Sequence, residues 1–199
     1  MIKHLSLVFA NYFARKGQYP KEKINVYAYG FELLISTVLN ALGLFIISMI
    51  MGIVPEALLF SVAYILLRTT AGGYHAKHHW SCFLITNIGF ILFAIMLNMM
   101  ANSVALPYIV FTTLLTSMLV WSFSPIRAEN NPLRESQKDI FRKRSLIIVT
   151  VNMTLTVTIA FAPQFPIMYY AYYQSGAFAA SISLAISAIS TKYKKIIRT

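Results

Sequence analysis

An all-α polytopic membrane protein of about six transmembrane helices, with an N-terminal amphipathic interfacial helix and both termini cytoplasmic, is the fold class that the sequence predicts. Three observations predict it. Hydrophobic residues make up 58% of the chain and charged residues only 12%, against about a quarter charged in soluble domains. Apolar runs recur six times at lengths near that of a bilayer crossing. Lys and Arg are confined to alternate connections between those runs.

Each element follows from its local pattern. Ile2, Leu5, Val8, Phe9, Tyr12 and Phe13 recur at helical spacing, with Lys3, His4, Asn11, Arg15 and Lys16 on other faces, which is the pattern of a basic helix lying on the membrane. No signal-peptide core precedes the first long apolar run near Leu33, so this segment is expected to be retained. Apolar runs then fall at 33–54, 56–72, 81–102, 104–123, 145–162 and 167–190. The second is the weak one: it starts at Pro55 and meets Arg68 below the usual minimum of about 17 residues. Either Arg68 snorkels to the interface, or the element is short, tilted or re-entrant. The expected organisation is one membrane-integrated domain, 1–199, with an interfacial segment at 1–30, a helical bundle at 31–190 and a basic tail at 191–199.

The basic residues form four groups. Lys3, Arg15, Lys16, Lys21 and Lys23 precede the first run, and Arg68 and Lys77 separate the second from the third. Arg127, Arg134, Lys138, Arg142, Lys143 and Arg144 separate the fourth from the fifth, and Lys192, Lys194, Lys195 and Arg198 follow the sixth, which accounts for all 17. The other connections, near 52–56, 101–103 and 162–166, carry none. The positive-inside rule places the basic connections and both termini in the cytoplasm, which requires an even number of spans. The net charge of +11 follows from this asymmetry and makes anionic lipid headgroups the default partner. No nucleic-acid-binding module is present, and a single cysteine excludes an internal disulfide.

This topology gathers unusual polar residues in one layer: Glu32 at the start of the first span, Arg68 at the end of the second, His75 in the next connection and Cys82 at the start of the third. A nucleophilic cysteine needs a base within hydrogen-bond reach. On one straight helix, residues seven apart are separated by about 10.5 Å along the axis, too far for that bond. Gly72-Gly73 supplies a break after which His75 can fold back over Cys82. Against this stands the common role of a lone membrane cysteine as a small packing residue, and of Glu32 and Arg68 as boundary charges. A metal reading also exists, since His75, His79 and Cys82 on one helix would offer three zinc ligands. The glutamate base of an HExxH site is replaced by Ala76. In the stretch 122–145, Pro125 and Pro132 break helices ahead of a basic run that fixes topology and suits an acidic peptide.

Three stretches, "YGFE" at 29–32, "RTTAGGYHAKHHWSC" at 68–82 and "SPIRAENNPL" at 124–133, together with the six-span pattern, resemble the accessory gene regulator protein B family of membrane peptidases, which mature quorum-sensing signal peptides. The resemblance implies a cysteine endopeptidase of the bacterial cell membrane that needs no cofactor and no metal. It implies Cys82 as nucleophile and His75 as base, with Glu32, Arg68, Gly73, Pro125, Asn130 and Pro132 in supporting or substrate-binding positions. Members often carry a basic residue just before the last of these prolines, where this chain has Asn131. The implied partner is a propeptide with an amphipathic leader and an acidic tail. The tail would be released as Cys82 forms a thioester, and ring closure by a Cys or Ser of the signal would follow. A homodimer is implied too, and small residues such as Ser175, Gly176, Ala179 and Ala180 permit close helix packing. The competing readings are a small transporter or channel with Glu32, Arg68 and the histidines lining a polar path, a metal-dependent hydrolase using His75, His79 and Cys82, and a catalytically silent scaffold.

Overall fold

The computed structural model describes residues 2–17, 24–72, 79–126, 135–162 and 166–197. Among them are seven helices: α1 Ile2–Arg15, α2 Ile24–Met51, α3 Val54–Ala71, α4 His79–Asn98, α5 Asn102–Phe123, α6 Glu135–Ala160 and α7 Ile167–Ile197. The described residues contain no β-strand, only an isolated bridge between Gly72 and Ile126. The chain is all-α, as its periodicity requires.

Each of the six apolar runs falls on one of α2 to α7. Among the described residues, four helical stretches are long and apolar enough to cross a membrane by length and composition: Ile24–Met51, Val54–Ala71, Asn102–Phe123 and Gln137–Ala160. The apolar part of α4, Phe83–Asn98, is shorter. The doubtful second run is one uninterrupted helix of 18 residues, about 27 Å long at 1.5 Å per residue. Pro55 sits in its first turn, where a missing N–H costs nothing.

The helix bounds differ from the apolar runs where polar residues continue a helix. The expected interfacial segment, 1–30, is divided, because α2 already begins at Ile24. Helix α6 begins at Glu135 and takes in Lys138, Arg142, Lys143 and Arg144, so much of the basic connection is helical. Gln, Lys and Arg are good helix formers, and apolarity alone does not mark where such a helix starts. In the same way α7 runs through the expected basic tail as far as Ile197.

Between α2 and α3 the chain reverses in a Schellman motif. Gly52 takes φ +71°, its N–H donates to the Met49 carbonyl at 3.2 Å, and the Ile53 N–H donates to the Ser48 carbonyl at 2.9 Å. Two buried clusters then record how the helices run. One joins Ile53 and Ala57 of the α2–α3 corner with Leu97 late in α4, Ile109 early in α5, Ile159 late in α6 and Tyr170 early in α7. The other joins Leu67 and Ala71 late in α3 with Val120 late in α5, Val149 in the first half of α6 and Leu184 well along α7. Helices α3, α5 and α7 therefore run one way, and α4 and α6 the other.

Helix α7 is central and packs chiefly on α3 and α5. The contact with α3 is close enough that a Cβ at Gly176 would overlap the Phe60 carbonyl, the close approach that small residues allow between membrane helices. Polarity is inverted relative to a soluble protein. Ile50, Met99 and Phe161 are more than 80% exposed, while Asn152, Gln174 and Thr116 are buried. Several of the buried groups bond to one another: Asn152 Nδ2 donates to Gln174 Oε1 at 2.8 Å, Tyr170 Oη donates to Asn152 Oδ1 at 2.8 Å, and the Thr113 and Thr156 hydroxyls meet at 3.0 Å. Away from water such groups must find partners inside the protein.

Helix α1 packs on α2 through small residues, Ser6, Ala10 and Ala14, and through the rings of Phe9 and Phe13, whose centroids lie 5.9 and 5.6 Å from that of Phe31. Leu5, Val8, Phe9 and Tyr12 stay exposed as an apolar stripe, as a membrane-facing helix requires.

Candidate functional site

Helix α3 ends at Gly72, a position that leaves no room for a side chain. Gly72 has φ +90° and ψ −158°, a region populated almost only by glycine, and its N–H still donates to the Arg68 carbonyl at 3.1 Å. The bend turns the chain beside the residues just beyond α5. There the Ile126 N–H donates to the Ala71 carbonyl at 3.0 Å, and the Ile126 carbonyl occupies the space that a Cβ on Gly72 would fill.

The far side of this junction is fixed as well. The buried hydroxyls of Ser124 and Ser145 meet at 2.6 Å, and Ser145 Oγ donates to the Arg142 carbonyl at 2.9 Å. The ends of α3 and α5 and the basic part of α6 thus converge. Pro125, half-buried, lies within this junction. Arg142, Lys143 and Arg144 are exposed beside it, and the Arg144 guanidinium lies 6.0 Å from the Phe141 ring centroid.

Arg68 lies one turn before Gly72 and is half-buried. Its guanidinium sits 5.8 Å from the Tyr64 ring centroid, and Nη1 donates to Ser183 Oγ on α7. A fixed, partly desolvated cation at this boundary suits recognition of a carbonyl or carboxylate.

The remaining sequence-derived positions divide in two. Glu32, half-buried on α2, lines a cavity of about 320 Å³ with Ser6, Leu7, Asn25, Ala28 and Tyr29, so its surroundings come from α1 and α2. Cys82 is the fourth residue of α4, in the first turn of that helix. Gly73, His75, Asn130 and Pro132 lie outside the described residues, which also removes His75 of the alternative metal set from view. The structure therefore joins the start of one motif, Arg68 to Gly72, to the start of another, Ser124 to Ile126. Sequence reasoning missed Ser183 and Ser145, which are ordinary serines in apolar helices. It named Gly72 only as a helix stop, although a doubled glycine also signals close backbone approach.

Comparison with known proteins covers most of the chain. A putative AgrB-like protein of Clostridium perfringens (strain SM101 / Type A) is 26% identical over 163 residues, 79% of this chain and 76% of that protein. A second from the same species, putative AgrB-like protein 2 of strain 13, is 25% identical over the same length and shares of the two chains. Protein FsrB of Enterococcus faecalis is 31% identical over 137 residues, 67% of this chain and 52% of that protein. No solved structure matches. Residues 6–191, nearly the whole chain, match the family described as Accessory gene regulator B, and the chain belongs to that family.

Proposed function

We propose that this protein is a membrane cysteine endopeptidase that processes a quorum-sensing propeptide. Membership of the accessory gene regulator B family over residues 6–191 is the observation that carries this reading. The Gly-Gly-x-His sequence, with Cys seven residues beyond the His, assigns the roles within it.

His75 takes the proton of the Cys82 thiol, and the thiolate attacks the carbonyl carbon between signal and tail. As the C–N bond breaks, His75 returns the proton to the departing amine, which leaves a thioester on Cys82. A Cys or Ser side chain within the signal then attacks the thioester carbonyl and expels the Cys82 sulfur, closing a thiolactone or lactone ring. The thioester keeps much of the activation of the amide, and exclusion of water limits competing hydrolysis. No ATP or metal enters this sequence of steps.

The other motif residues act around that reaction. Arg68, Gly73, Pro125, Asn130 and Pro132 hold or orient the substrate near the thiol, and Glu32 serves the same end or assists the dyad. The exposed cations of α6 attract the acidic tail. The amphipathic leader lies in the bilayer interface that α1 shares.

The test is co-expression with the candidate propeptide, followed by mass spectrometry of peptide and enzyme. Wild-type protein is expected to release the tail and to carry an acyl adduct on Cys82, and Cys82→Ala and His75→Ala are expected to do neither. Normal tail release by Cys82→Ala would remove the thiol from the mechanism.

A further inference from the structure

The junction of Gly72 with Ile126 is built more tightly than the end of a helix needs. A C-terminal glycine ordinarily serves to satisfy orphan carbonyls, and an αL conformation suffices for that. Gly72 instead takes φ +90° with ψ −158°, and the space its missing side chain leaves is filled by the Ile126 carbonyl rather than by solvent. The Ile126 N–H returns a bond to Ala71 at 3.0 Å, so two backbones are held in register at this point. Ser124 and Ser145 secure the same segment from the α6 side.

The sequence gives this contact its consequence. Three residues beyond Gly72 stands His75, and Arg127 to Pro132 continue directly from Ile126. The segment carrying the base and the segment expected to hold substrate therefore originate at one shared point. We propose that Gly72 is a positioning residue for tail cleavage, fixing the origin of the substrate-holding segment relative to the origin of the His75 segment through backbone contact with Ile126. This rests on the endopeptidase reading. A displacement of about 1 Å between reacting groups is enough to cost on the order of a hundredfold in rate.

The experiment compares wild type, Gly72→Ala and Gly89→Ala in detergent or vesicles with the purified propeptide. Gly89 is a control within α4, where an added Cβ meets nothing within 4 Å. Two quantities are read separately: the burst amplitude of tail release, which counts competent Cys82 thiols, and the first-order rate constant of the burst. Gly72→Ala is expected to lower the rate constant at least tenfold while Gly89→Ala leaves it within twofold of wild type. A purely structural role would lower the amplitude alone, and that result overturns the proposal. If Gly72→Ala does not accumulate as folded protein, Ile126→Pro, which removes the N–H donated to Ala71 and leaves Gly72 itself unchanged, is measured under the same criterion. A wild-type protein that releases no tail overturns the endopeptidase reading and this proposal together. A wild type that cleaves beside an unaffected Gly72→Ala overturns this proposal alone.

Discussion

Arg68 shows how a single side chain is fixed at the edge of the bundle. A charged group at the membrane boundary is costly unless its donors are satisfied, and this one stacks on Tyr64 from its own helix and donates to Ser183 from α7. Ser183→Ala removes an acceptor from a half-buried guanidinium, a loss of about 1–3 kcal/mol. It is expected to lower the unfolding temperature in detergent by several degrees, and an unchanged melting curve would show that the bond contributes nothing. The sequence made Arg68 conspicuous because it interrupts an apolar run. It left Ser183 unmarked because the pairing spans 115 residues, and small hydroxyls in an apolar helix look alike until a partner is known. The same asymmetry holds for the candidate dyad. Cys82 and His75 stand out by chemistry and spacing, whereas the role of Gly72 emerges only when Ile126 is seen against it.

Helices were the most legible elements, and their ends the least. Long apolar runs dictate helices in a bilayer, since no other short segment satisfies its own backbone there. Where Lys, Arg and Gln carry a helix beyond the hydrocarbon, as at the start of α6, hydropathy marks the membrane boundary and not the helix boundary. Packing between elements was hidden for a related reason. The interior seam is built from Asn152, Gln174, Tyr170, Thr156 and Thr113, polar residues that a hydropathy scan reads as interruptions. Asn152 is the hub, bonded to both Gln174 and Tyr170 across the α6–α7 contact. Replacing it by Leu takes the donor from buried Gln174 Oε1 and one acceptor from Tyr170, whose hydroxyl keeps the residue-152 carbonyl at 3.0 Å and Thr156. With membrane hydrogen bonds worth about 0.6 and at most about 1.7 kcal/mol each, the expected destabilisation is about 1–3 kcal/mol. A double-mutant cycle of Asn152→Leu with Gln174→Leu in a thermal or denaturant unfolding assay measures the coupling. Strict additivity of the two effects would mean that the seam is a set of neighbours and not a network.

The arrangement of charge over the whole bundle carries the orientation. The direction of the helices puts the ends of α3 and α5, the basic start of α6 and the later part of α7 at one end, with the corners near Gly52, Ala101 and Ala162 at the other. Arg68, Arg142, Lys143 and Arg144 belong to the first end and the described residues of the turns at the second carry no basic side chain, so among the described residues the asymmetry read from the sequence is also an asymmetry of the fold. If all of α2 to α7 cross the bilayer, both termini lie with the cations, in the cytoplasm. An odd number of crossings would instead split the termini between the two sides. Single-cysteine variants in a Cys82→Ala background separate these cases with a membrane-impermeant maleimide. Ser103→Cys, at the uncharged end, is expected to label in intact cells. Lys16→Cys and Lys195→Cys are expected to label only once the membrane is opened. Labelling of Lys16→Cys and Lys195→Cys from opposite sides would remove the even count, and labelling of both from outside would reverse the orientation. The second result would place the Arg68–Gly72 junction, which lies at the same end of the bundle as the later part of α7, on the outer face of the membrane.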